Sequence, residues 1–99
     1  MQVSFSSNTL RKAYEEHRRA VKRWGPDVAL KYIQRIEALQ VAETFSDVQA
    51  IHAFEVHELK GDRKGEWTIT LTRRARLVVI PSEDQRAVIV KEVSQHYGD

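Results

Sequence analysis

The stretch His57-Glu58-Leu59-Lys60-Gly61-Asp62-Arg63-Lys64-Gly65-Glu66-Trp67, continued by Thr68-Ile69-Thr70-Leu71-Thr72, decides how this chain is read. From Ala53 onward the apolar period changes from 3.6 residues to 2. Glycines bracket a basic loop over 61–65. After it, Trp67, Ile69 and Leu71 share one face and Thr68, Thr70 and Thr72 the other, the mark of a half-buried antiparallel strand. Phe54 to Lys60 reads as the strand that enters the loop.

Downstream, Arg73-Arg74 is a polar turn and Leu77-Val78-Val79-Ile80 a more fully buried strand. Pro81-Ser82-Glu83-Asp84 turns the chain again, and Ala87 to Val93 forms the last strand. Upstream, Met1 to Ser6 fits a short first strand, and Ser7 or Asn8 caps a helix. Leu10, Ala13, Tyr14, His17, Val21 and Trp24 fall within ~80° of each other on a helical wheel. They predict one amphipathic helix, with Arg11, Arg18, Lys22 and Glu15 opposite. His17, mid-face, is expected to pack and bond a carbonyl.

Gly25-Pro26 ends that helix and begins another, with Asp27 near the positive end of its dipole. Val28, Tyr32, Ile36 and Leu39, widened by Ala29 and Ile33, form its stripe. The short connection makes a helical hairpin. Leu30 and Val41 point off the stripe. Ser46-Asp47-Val48-Gln49 has capping-box spacing and starts a short helical turn. Trp24 and Trp67 read as core. The expected fold is α+β: one domain over 1–99, with an N-terminal helical hairpin, after a short first strand, on one face of an antiparallel sheet of about four strands.

Size and composition bound the function. A chain of 99 residues buries roughly 60–70% of its unfolded surface, enough for one modest core. Hydrophobic content of 41% and two prolines argue for a folded chain. The absence of cysteine removes disulfides, thiolate metal sites and thiol nucleophiles, and a cytoplasmic protein is the straightforward reading. Met1 to Phe5 lacks the pattern of a signal peptide, and no apolar run approaches the ~20 residues of a membrane span. Net charge is +2, but Leu10–Arg23 and Lys60–Arg76 each hold six basic and two acidic residues, a local +4. Two cationic blocks on a small domain suggest a polyanionic partner or, equally, two solvated faces.

The loop stretch resembles the "HxLKGDRxGxW" signature of HigB-type toxins, the plasmid-maintenance killer branch of the RelE/ParE superfamily. Arg76-Leu77-Val78-Val79 resembles the family's "YRLIF" strand. Arg35-Ile36-Glu37-Ala38-Leu39 resembles its "QRLDEL" segment, and Lys91-Glu92-Val93 with the following His/Tyr pair its terminal "EIxDYH". The resemblance covers essentially the whole chain, and the loop motif is its most specific part. It implies a small cytoplasmic endoribonuclease acting on messenger RNA in the ribosomal decoding site. It also implies a cognate antitoxin, HigA-like and DNA-binding, and no cofactor or metal. Carried over by position, His57, Lys60 and Arg76 match residues used in or beside the active site, with His96 and Tyr97 completing the candidate set.

The chemistry suits these residue types. Cleavage by transesterification needs a proton taken from a 2′-hydroxyl, charge stabilised on a pentacoordinate phosphorane, and a proton given to the 5′-oxygen. Lys60 and Arg76 supply positive charge where negative charge develops. His57 or His96 moves protons near neutral pH. Arg11, Arg18, Lys22, Arg63, Lys64, Arg73 and Arg74 are the candidate contacts to ribosomal RNA.

The end of the chain departs from the family pattern. Acid-Tyr-His is replaced by Gln95-His96-Tyr97, so the acid is lost and the other two are exchanged. In a regular strand that exchange moves the imidazole to the other face. A bulge or frayed terminus restores His96; or Tyr97 serves as proton donor or stacking ring; or the chemistry is lost. Three other readings remain: a ParE-like protein acting on gyrase, a non-catalytic RNA- or antitoxin-binding relic, and a metal site from His52, Glu55, His57 and His96.

Overall fold

The computed structural model describes residues 1–95. Strand β1 (Gln2–Phe5) leads into helices α1 (Asn8–Glu15), α2 (His17–Trp24), α3 (Pro26–Val41) and α4 (Phe45–Gln49). A 3₁₀ turn at His52–Phe54 precedes β2 (His57–Glu58), and a second, at Gly61–Arg63, precedes β3 (Trp67–Thr70). Strands β4 (Arg76–Pro81) and β5 (Ala87–Ser94) follow. The five strands form one sheet in the order β1-β5-β4-β3-β2. Strands β2 to β5 make the expected antiparallel meander, and β1 adds a parallel edge against β5, Gln2 opposite Ala87 and Phe5 opposite Val90. No helix among the described residues is long and apolar enough to cross a membrane.

Helices and sheet meet in one core. Tyr32, Ile36 and Leu39 of α3 and Phe45 and Val48 of α4 are fully buried with Ile69, Leu77, Val79 and Val90 of the sheet. The Tyr32 hydroxyl donates to the Leu10 carbonyl at 2.7 Å, and burial pushes its phenol well above the ordinary value. Trp24 packs on Tyr32 with ring centroids 4.6 Å apart, and Trp67 on Phe45 at 5.5 Å. Leu30 and Val41 are exposed.

Several boundaries follow the local signals. Ser7 caps α1, its Oγ accepting from the Leu10 N–H at 3.2 Å. Gly25 takes φ +86°, which a side chain disfavours, so the chain turns there and Pro26 opens α3. The capping box lies two residues earlier than expected: Thr44 is the N-cap and Asp47 completes the box.

The expected single helix is broken at Glu16, with φ −127° and ψ 101°. The Glu16 N–H donates to the Lys12 carbonyl and closes α1. Its carbonyl accepts from the Arg19 N–H, and its carboxylate lies 2.9 Å from Arg19 Nε at the positive start of α2. One residue thus caps two helices with no glycine or proline to announce it. The phase of the apolar stripe resets there, so Ala20 is buried and His17 is exposed rather than packed. The strand expected over Phe54–Lys60 shrinks to His57–Glu58. Phe54 is held in its 3₁₀ turn, and Glu55 adopts a left-handed φ of 46° that interrupts extended pairing.

Candidate nucleic-acid interface

The helices cover one face of the sheet, and alternation along the strands assigns the other. Trp67 and Ile69 point to the core, so Thr68 and Thr70 take the helix-free face. Register places His57 opposite Thr68, Thr68 opposite Val78, and Val78 opposite Glu92. The next row holds Thr70, Arg76 and Ser94. His57 and Arg76 therefore occupy adjacent rows on one face, two strands apart, at a backbone separation of roughly 12 Å from standard sheet spacings.

Arg76 is half-buried. Its Nη1 donates to the carbonyls of Thr72 at 2.7 Å and Ala75 at 3.1 Å, so it also holds the β3–β4 turn. Its row neighbour Thr70 has a buried Oγ1 with no hydrogen-bond partner among the described residues. Lys60 is exposed and leads into the loop. The Leu59 N–H bonds the Glu66 carbonyl at 2.8 Å, so Lys60 leaves the sheet at the Glu66 end of β3, whereas Arg76 stands at the Thr70 end. Four residues of strand, roughly 13 Å, separate the two ends. The ladder does not bring Lys60 and Arg76 onto one point. His96 and Tyr97 lie outside the described residues.

The loop is fastened by an ion-pair network that simple alternation misses. Arg63 Nη2 lies 2.7 Å from Glu66 Oε1 and 2.8 Å from Glu92 Oε1, and Lys91 Nζ lies 2.8 Å from Glu66 Oε2. A bulge makes this possible. Val78 pairs with Glu92 but Val79 with Val90, leaving Lys91 as the extra residue. Lys91 and Glu92 are therefore both spared for the network, between the inward residues Val90 and Val93. The signal is legible in retrospect: apolar residues at 88, 90 and 93 break the two-residue period with two charges in succession. Lys91, ahead of Arg63, holds the Glu66 carboxyl below the ordinary carboxylate range, and Glu66 raises Arg63.

The other proposed contacts scatter. Lys64, Arg73 and Arg74 are exposed. Arg11 is engaged by Glu15 at 3.0 Å and Asn8 at 2.9 Å, and Arg18 stands 3.9 Å from Glu16. Lys22 lines a groove between α1 and α2 with Lys12, Arg19 and Arg23, three cations that the single-helix reading passed over. His52, Glu55 and His57 line a shared surface hollow. No group of three or more potential ligands among the described residues is placed to hold a metal ion.

No model of a known protein family matches the sequence, and no curated protein matches it at a significant level. Solved structures do match in three dimensions. The YoeB/ParE toxin from Agrobacterium tumefaciens superimposes with a TM-score of 0.66 at 20% identity, covering 98% of this chain and 100% of that one. YafQ from E. coli gives 0.63 at 12% identity over 95% and 91%. A chain of the YoeB-YefM complex from Staphylococcus aureus gives 0.61 at 13% over 98% of each. With its helical hairpin on one face of a five-stranded sheet and the match running nearly end to end, the chain has the RelE/ParE-type toxin fold.

Proposed function

We propose that the protein is the toxin of a type II toxin–antitoxin pair, of the HigB kind, and that it cleaves messenger RNA on the ribosome. The observation that carries this reading is the placing of His57 and Arg76 in adjacent rows of the helix-free face, in a toxin fold whose basic loop bears the HigB-like motif. A 2′-oxygen attacks the adjacent phosphorus, the bond to the 5′-oxygen breaks, and a 2′,3′-cyclic phosphate and a free 5′-hydroxyl result. Arg76 offers paired donors to the phosphorane oxygens. His57 takes or gives the proton, with His96 or Tyr97 as its counterpart. Lys60, at the far end of β3, suits a neighbouring phosphate better than the one Arg76 holds. None of these steps requires a metal. An antitoxin partner is supported by the YoeB-YefM complex among the structural matches.

The test is translation in vitro with purified protein and a defined message, mapping RNA ends by primer extension, with Lys60→Ala as control. Ribosome-dependent cuts that vanish in the control are expected. Ribosome binding without cuts would favour the non-catalytic reading, which the altered Gln95-His96-Tyr97 motivates. No binding would favour the gyrase-directed one.

A further inference from the structure

The break at Glu16 opens a groove of about 500 Å³ between α1 and α2, walled by Lys12, Arg19, Lys22 and Arg23, with Asn8 and Thr9 at one end. No carboxylate lines it. Arg19 is shared with Glu16 at 2.9 Å, whereas Lys12, Lys22 and Arg23 form no ion pair among the described residues. Like charges held together in a concave surface repel one another, and a bound anion relieves that repulsion. The groove does not end blindly. Thr9 and Arg23 also line a second cleft of about 270 Å³, whose far wall includes Lys91 and Glu92, the bulge residues of the loop network. The depression thus continues to the rim of the sheet, but its converging cations lie in the groove between α1 and α2.

We propose that this groove between α1 and α2 binds the phosphate backbone of RNA. Lys12, Arg19, Lys22 and Arg23 neutralise successive phosphates, and Asn8 and Thr9 add polar contacts. The proposal rests on the RNA-directed reading above but not on cleavage. It also differs from the set of contacts expected from a single helix, because the break, not the wheel, decides which cations converge.

The experiment titrates uniformly ¹⁵N-labelled protein with a short hairpin RNA and follows amide shifts. It then measures affinity against salt for the Lys12→Gln/Arg23→Gln double variant and for Lys31→Gln/Arg86→Gln, which removes the same charge elsewhere. The largest shifts are expected at residues 8–12 and 19–23. The groove variant should bind at least tenfold more weakly. Its slope of log K against log salt should fall by about 1.5, roughly 0.7–0.9 for each phosphate no longer neutralised. The control should change less than twofold. Lys12, Arg23 and Arg86 are exposed and Lys31 is half-buried, and the spectra of both variants report directly that they fold. Shifts centred on the 60–65 loop with residues 8–23 unmoved, or equal weakening in the two variants, would overturn the proposal. Groove shifts without message cleavage would overturn the ribonuclease reading alone; cleavage without groove shifts would overturn the groove alone.

Discussion

The guanidinium of Arg63 stands 2.8 Å from the carboxylate of Glu92, 29 positions further along, and so fastens the basic loop to the last strand. Glu66 is the hub beneath it, with a side chain only 15% exposed, bonded by Arg63 on one oxygen and Lys91 on the other. Its carboxyl lies below the ordinary range because of these cations. Since the folded value is the lower one, the network's contribution is complete above the unfolded pKa of about 4.3 and is lost as pH falls through the folded value. Melting temperature should therefore drop more steeply with acidification below pH ~4.3 in the wild type than in Glu66→Gln. Parallel curves for the two proteins would show that Glu66 carries none of the dependence.

Lys60 and Arg76 should separate when stability and cleavage are measured together. Lys60 is exposed, so Lys60→Ala should stay within about 0.5 kcal/mol of wild-type stability while cleavage is lost. Arg76 bonds the carbonyls of its turn, so Arg76→Ala should lose cleavage and also about 1–2 kcal/mol. Arg76→Lys keeps the charge and loses the paired donors. Urea unfolding beside primer extension tests all three, and near wild-type cutting by either alanine variant would remove that residue from the site.

Tyr32→Phe deletes the buried bond to the Leu10 carbonyl and leaves the ring in place. A cost of about 1 kcal/mol in urea unfolding is expected, because that carbonyl keeps its place in the α1 ladder. A neutral result would mean that the hydroxyl is held without net benefit.

His17→Ala should be neutral within about 0.5 kcal/mol, since the side chain faces water at the start of α2. The wheel places His17 in the core, and a packed histidine would cost more than about 2 kcal/mol by the same thermal or urea measurement.

That last contrast shows where the sequence was legible. Period-2 alternation at Trp67–Leu71 and the turn residues at Gly25-Pro26 identify strand, hairpin and layer correctly, because each signal acts over a few neighbouring residues. Glu16 carries no such signal. It breaks the helix through hydrogen bonds on both sides, and a wheel drawn through it misplaces both His17 and the cations that converge. Glu55 shortens β2 in the same silent way. Within the proposed site, the common face of His57 and Arg76 is readable from strand alternation. The broken period at Val88, Val90 and Val93 announces the bulge, but the partners of the Arg63–Glu66–Lys91–Glu92 network lie 25 and 29 positions apart and are not encoded locally.

The parallel pairing of β1 with β5, Gln2 with Ala87, also has a consequence in time. The two partners lie 85 positions apart, as do Ser6 and Lys91, whose side-chain bond continues the seam. At about 5–20 residues per second, synthesis leaves β1 waiting some 4–17 seconds for the strand it must join. A chain stopped before Ala87 has β1 on one side and the β2–β4 hairpins on the other, with nothing between them. The seam that ties β1 to the rest of the sheet therefore closes only once the final strand has been made.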